Sequence, residues 1–138
     1  MISNRDGRGI REARDGWVLP LVGQQVTRCC FDFAEVSVLF ANGISVNIGD
    51  VFVYADSGGR EFRLDPEGEA SRLAPVLALL RMNAVAGFAF SDGRLSLDFE
   101  DGSRIRIPAS EQFEAWNITG PDGLRIVSMP GGELAIWS

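Results

Sequence analysis

The sequence predicts an α+β domain that is mainly antiparallel sheet, built as two repeated β-meanders with a single helix between them. Three observations carry this expectation. Apolar and polar residues alternate through most of the chain, the period of strands with one buried face. Gly-centred turns separate the alternating runs at hairpin spacing. One segment, Leu73, Val76, Leu77 and Leu80, instead recurs at helical spacing.

The elements follow in order. Met1 to Gly16 is polar, with Arg5, Arg8, Arg11 and Arg14 interleaved with Asp6, Glu12 and Asp15. Residues 1–17 therefore read as a disordered tail, and 18–138 as one β-rich domain. Val26 to Phe33 is a strand with Thr27, Cys29, Phe31 and Phe33 on one face and Arg28, Cys30 and Asp32 on the other. Val36, Val38 and Phe40 alternate up to Ala41-Asn42-Gly43, and Ile44, Val46 and Ile48 alternate after it. A three-residue loop ending in Gly suits a type I turn with a left-handed Gly bulge. That register sets Val38 against Val46 and Phe40 against Ile44. Phe52 to Tyr54 and Glu61 to Leu64 make a second hairpin across Asp56-Ser57-Gly58-Gly59. An amphipathic helix is expected over about 71–82, with Ser71 as its N-cap and Pro75 near its first turn.

Strand patterning then resumes. Ala84 to Phe90 is a strand. Arg94 to Phe99 and Arg104 to Ile107 pair across Glu100-Asp101-Gly102, which sets Leu97 against Ile105 and Asp98 against Arg104. Trp116 to Thr119 and Leu124 to Val127 flank the turn Gly120-Pro121-Asp122-Gly123. The halves, about 20–65 and 83–137, align as a duplication. Ser37 to Gly43 falls on Ser96 to Gly102, and Phe52, Tyr54, Gly59 and Phe62 fall on Trp116, Ile118, Gly123 and Ile126. A half of ~45–50 residues is too small for a good core, so the halves are expected to pack as one domain.

Composition narrows the chemistry. The 138 residues carry 13 basic and 19 acidic side chains, a net charge of −6, with no His. Every basic residue is Arg. A His-based triad, a His–metal site and a Lys-dependent phosphate loop are excluded. Net acidity argues against nucleic acid as a partner. No apolar run approaches the ~20 residues of a membrane span, and no secretory signal pattern is present, so a cytoplasmic protein is expected. The adjacent Cys29 and Cys30 fit two reduced thiols, because a disulfide between neighbours is strained. No metal site and no cofactor are expected.

Site candidates are few. Cys30 shares a face with Arg28 and is the more reactive thiol, whereas Cys29 reads as a core residue. The carboxylate groups Asp65, Glu67, Glu69 and Asp98, Glu100, Asp101 could do acid–base or metal chemistry, but a solvated loop and a salt-bridged hairpin account for them. The Gly-rich segments at 57–59 and 130–132 match no nucleotide fingerprint. Trp116, Trp137 and Tyr54 are the aromatic candidates for binding, each an interface or pocket group if exposed and a core group if not.

The C-terminal third carries a resemblance. Glu114-Ala115-Trp116, Gly120-Pro121-Asp122-Gly123 and Pro130-Gly131-Gly132-Glu133-Leu134-Ala135-Ile136-Trp137, with Leu19 to Thr27 and Arg63-Leu64-Asp65-Pro66-Glu67 upstream, resemble a family of small uncharacterised proteins of high-GC Gram-positive bacteria. The resemblance implies a self-contained domain over about Leu19 to Trp137 and brings no activity. A small, acidic, single-domain chain suits electrostatic capture of a basic partner, so the expectation is a non-enzymatic protein-binding module, such as one of immunity or antitoxin type, that could form a homodimer through open sheet edges. The alternatives are a small-ligand binder with a pocket between the repeats, and a carboxylate-dependent enzyme.

Overall fold

The computed structural model describes residues 9–137. Thirteen strands form two antiparallel sheets. They are β1 (Arg11–Ala13), β2 (Gly16–Val18), β3 (Val26–Phe31), β4 (Val36–Phe40), β5 (Ser45–Ile48), β6 (Phe52–Ala55), β7 (Glu61–Leu64), β8 (Ala84–Phe90), β9 (Leu95–Phe99), β10 (Arg104–Ile107), β11 (Trp116–Thr119), β12 (Arg125–Ser128) and β13 (Leu134–Trp137). Sheet I has the order β1-β2-β8-β9-β10-β6-β7, and sheet II has the order β13-β12-β11-β5-β4-β3. The fold is therefore β-rich α+β, and its inner faces meet in one apolar core.

The hairpin registers follow from the alternation. Val38 faces Val46, and Leu97 faces Ile105. Any one-residue slip would turn these buried residues to solvent. Gly43 and Gly102 close the two loops at φ 91° and 89°, a backbone region that favours Gly. In each loop the preceding polar side chain steadies the turn: Asn42 Oδ1 accepts from the Ile44 N–H, and Asp101 Oδ1 accepts from the Ser103 N–H.

The two halves exchange strands. The meander β3-β4-β5 lies in sheet II while its following hairpin β6-β7 lies in sheet I; β8-β9-β10 lies in sheet I while β11-β12 lies in sheet II. Each sheet thus joins the meander of one half to the hairpin of the other, through β5–β11 and β10–β6. The registers correspond residue by residue. Both first strands carry a β-bulge, between Val26 and Arg28 and between Ala84 and Ala86. Ile118 pairs with Val46 in sheet II, and its equivalent Tyr54 pairs with Ile105, the equivalent of Val46, in sheet I.

Equivalent residues also meet where the halves touch. Phe40 stacks on Phe99, with centroids 6.4 Å apart and planes at 8°. Gln25 bridges to Asn83, the Val26 N–H donates to the Met82 carbonyl, and the Ala84 N–H donates to the Gln24 carbonyl. Leu21, Val26, Leu79 and Ala84 are buried around this contact. It is filled with side chains, so the expected pocket between the repeats does not lie here.

Two expectations need correction. The segment over 71–82 is not an α-helix but a 3₁₀ helix at Ala70–Leu79, preceded by Glu69, with no side-chain cap and hence no role for Ser71. Its buried residues are Leu73, Val76 and Leu79, spaced by three, the 3₁₀ period. Leu77 and Leu80, which α spacing would bury, are 55% and 37% exposed. Pro75 inside the segment lacks the N–H that an α-helix would use.

The second correction concerns the N-terminus. Arg11–Ala13 and Gly16–Val18 pair as a hairpin that adds to β8, and Ile10 is 1% exposed in the core. Residues 9–17 are thus part of sheet I. The charged residues that made them look like a tail sit on a short edge strand, where charge is commonly placed. Residues 1–8 of the expected tail lie outside the described residues.

Candidate functional site

The sequence candidates separate into core and surface. Trp116 is 1% exposed on the inner face of sheet II. Its Nε1 donates to the Gly93 carbonyl at 2.7 Å, and the Ser128 hydroxyl donates to the same oxygen at 2.9 Å. It anchors the β8–β9 turn of sheet I to sheet II and is not available to a partner. Tyr54, on the inner face of sheet I, is also buried and stacks on Phe62 at 6.2 Å. Burial, followed by the nearby Asp101 and Asp56 carboxylates, raises its phenol above the ordinary value, against a smaller opposing effect of Ser103. Both side chains belong to the core.

Cys30 and Trp137 are different. They lie on the outer face of sheet II, at opposite edges, on β3 and β13. Six strands at ~4.8 Å spacing put them about 24 Å apart, so they bound one face and share no pocket. Cys29 points inward opposite Val38, and burial, then Cys30, raises its thiol. Trp137 is 53% exposed with the Arg125 guanidinium 5.9 Å from its ring centroid.

Between these edges the registers define two rows of side chains. One runs Cys30, Ser37, Asn47, Asn117, Val127, Ala135; the other runs Arg28, Leu39, Ser45, Thr119, Arg125, Trp137. The first row is hydrogen-bonded across strands. Ser37 and Ser45 both donate to Asn47 Oδ1 at 2.8 Å, and Asn47 Nδ2 donates to Asn117 Oδ1 at 2.9 Å. Among the described residues the Asn117 Nδ2 donors have no partner, so the ladder ends with a free amide. Arg28 and Arg125 are the only charged groups in the two rows.

The equivalent rows of sheet I are charged over β9, β10, β6 and β7. Phe88, Ser96, Arg106, Val53 and Arg63 form one, and Ala86, Asp98, Arg104, Ala55 and Glu61 form the other. Arg106 pairs with Asp98 at 2.8 Å, and Arg104 with Glu61 at 3.9 Å. Asn47 thus stands where the other half has Arg106, and Ser45 where it has Arg104. The same backbone presents one ion-paired face and one whose centre is uncharged. Sequence reading missed this second face because its members are Ser, Asn and Thr from three strands, and only the pairing of β5 with β11 joins them.

The catalytic candidates are accounted for otherwise. Asp65 caps its own turn through the Glu67 N–H, Asp101 accepts from Ser103, and Asp98 is paired as above. No group of three or more metal-ligating side chains occurs among the described residues. A shallow charged cleft lies where the β1–β2 and β8–β9 turns meet, lined by Arg14, Asp15, Phe90, Ser91, Asp92 and Arg94. Three of its groups already engage one another: Arg94 pairs with Asp92 at 2.8 Å and lies over the Phe90 ring at 4.3 Å. No described helix is long and apolar enough to cross a membrane.

The chain belongs to a family of unknown function, DUF6188, whose model matches residues 17–138. The match begins inside β2 and spans both halves. No curated protein matches the chain, and no solved structure matches it.

Proposed function

We propose that the protein is a non-enzymatic interaction module that binds a second, different protein through the outer face of sheet II. The observation that carries this reading is the asymmetry of two topologically equivalent faces. Charged pairs on a solvated sheet are ordinary, whereas a face whose centre, Ser37, Asn47, Asn117 and Thr119, is uncharged, with Arg28 and Arg125 nearer its edges and Asp32, Glu35 and Glu133 along its rim, has the composition of an interface centre with a polar rim. Trp137 and Arg125, at one edge, are the residue types that dominate binding energy when covered. The partner this face fits presents uncharged hydrogen-bonding groups over Asn47 and Asn117 and carboxylates opposite Arg28 and Arg125. The net negative charge of the chain resides elsewhere, so capture of a basic partner is not the role of this face.

The correspondence of bulges, registers and loops supports an origin by internal duplication, with the two faces now different in charge. A bacterial, cytoplasmic protein of immunity or antitoxin type remains compatible with this design. A paired photo-crosslinking experiment tests the reading. A crosslinking residue at Asn117 and one at Val53, its equivalent on sheet I, are compared in the native host. A discrete protein adduct from position 117 and none from 53 is expected. Equal adducts from both, or none from either, would overturn the proposal.

A further inference from the structure

The two sheets present four edges, and three are protected against pairing. The β1 edge carries Arg11 and Glu12, and the β7 edge carries Glu61 and Arg63. The β3 edge is bulged after Val26 and partly covered by the 3₁₀ segment: the Arg81 N–H donates to the Val26 carbonyl, and Cys29 Sγ lies 4.0 Å from the Val76 carbonyl. The fourth edge, β13, reads Leu134-Ala135-Ile136-Trp137, with no charge, no Pro and no bulge. Among the described residues no strand pairs with its far side. Its inner-face residues Leu134 and Ile136 pack on the core yet remain only partly buried at the open side of the sandwich.

We infer that β13 pairs antiparallel with β13 of a second copy of this chain, joining the two six-stranded sheets across a two-fold axis. The hydrogen-bond phase permits it. The Met129 N–H donates to the Glu133 carbonyl, which makes that pair a bonded one. Bonded and non-bonded pairs alternate in antiparallel sheet, so the N–H and C=O of Leu134 and Ile136 aim away from β12. A two-fold axis through Ile136 lets each Ile136 donate to, and accept from, the partner's Ile136.

The same register is complementary on both faces. On the outer face the Trp137 indole lies over the partner's Ala135, a large side chain on a small one, twice. Centring on Ala135 instead would set the indole beside the partner's Glu133. On the inner face the pairing covers Ile136 and extends each core into the other. A second copy is the fitting occupant because, among the described residues, β13 is the one edge strand that meets β13 without bringing an unpaired charge to the seam. Pairing also joins the two outer faces of sheet II into one continuous surface. Its test needs no other protein; in the dimer Trp137 packs on the second copy, which leaves Arg28, Asn47, Asn117 and Arg125 to the partner proposed for the face.

Purified full-length protein tests it by sedimentation or native mass spectrometry over a dilution series, with amide hydrogen exchange at both ends of the series. A dimer of the 15.0 kDa chain is expected at high concentration. Within it, the Leu134 and Ile136 amides should gain at least about tenfold protection relative to the dilute protein. Trp137→Ala, a change at a half-exposed side chain, should weaken association about 10–100-fold. Ile136→Pro removes the edge N–H at a position where an edge strand tolerates Pro, and should give a monomer with an unchanged circular dichroism spectrum. A wild-type monomer at the highest concentration, a dimer whose β13 amides stay unprotected, or a Trp137→Ala dimer of unaltered affinity would overturn the inference.

Discussion

The Gly93 carbonyl accepts two buried donors, Trp116 Nε1 and the Ser128 hydroxyl, and this shared acceptor makes a quantitative prediction. Trp116→Phe removes one hydrogen bond, worth about 1 kcal/mol. It also removes part of an indole whose full truncation would cost about 3–5 kcal/mol, so the single variant should lose about 2–2.5 kcal/mol. Ser128→Ala should lose about 1 kcal/mol. In each single variant the carbonyl keeps a partner. The double variant leaves it orphaned and adds the desolvation penalty of a buried acceptor, about 1–3 kcal/mol. The total should then reach about 4–6 kcal/mol, against the 5–15 kcal/mol typical of a whole domain. Urea unfolding followed by far-ultraviolet circular dichroism measures all four corners of the cycle. A double-variant loss equal to the sum of the singles would refute the shared-acceptor argument.

Other outcomes follow from the same geometry. Ile10→Ala should cost about 2–4 kcal/mol in urea unfolding, because Ile10 is buried beneath the N-terminal hairpin; a loss below about 0.5 kcal/mol, the usual scale of a surface change, would mean the hairpin is not part of the core. Tyr54, the single Tyr, should show less tyrosinate absorbance at about pH 10 in the folded protein than in urea, where an ordinary Tyr titrates near 10. Its raised value means that the stability tied to the neutral phenol is full below that pH and is lost as pH rises through the folded-state value; coincident titrations in the folded and urea-unfolded protein would contradict its burial. Thiol labelling should proceed in two phases, a fast one that Cys30→Ser abolishes and a slow one from Cys29, whose thiol is raised by burial.

Much of the fold was legible because the sheet is built from short hairpins whose loops declare themselves. Asn42-Gly43 and Asp101-Gly102 place two turns, and alternation then dictates which residues face the core. Alternation does not say which strands pair across long connections. The exchange of hairpins between the halves rests on β5 with β11 and β10 with β6, contacts distant in sequence and invisible to a local pattern. Leu73, Val76, Leu77 and Leu80 fit an α period as well as the 3₁₀ period of Leu73, Val76 and Leu79 fits the structure, and tertiary packing chose the latter. At Arg11 to Trp17, charge concealed a hairpin that β2 ties to β8 by backbone bonds while Ile10 and Trp17 pack on the core.

The site was less legible than the fold. Trp116 and Tyr54 drew notice as large amphipathic groups and proved to be buried anchors. Cys30 and Trp137 did mark the face, but only its two edges. The residues between them, Ser37, Asn47 and Asn117, are chemically modest and gain meaning only through their pairing and through contrast with Arg106 and its ion-paired neighbours.

The most direct test of the account is native mass spectrometry of the protein gently purified from its own host, comparing wild type with Asn117→Lys and Val53→Lys. The account predicts a stoichiometric protein partner that is retained by Val53→Lys and lost from Asn117→Lys, with both variants folded by circular dichroism. A partner that survives Asn117→Lys, or that either Lys displaces equally, would contradict the assignment of binding to the uncharged face of sheet II.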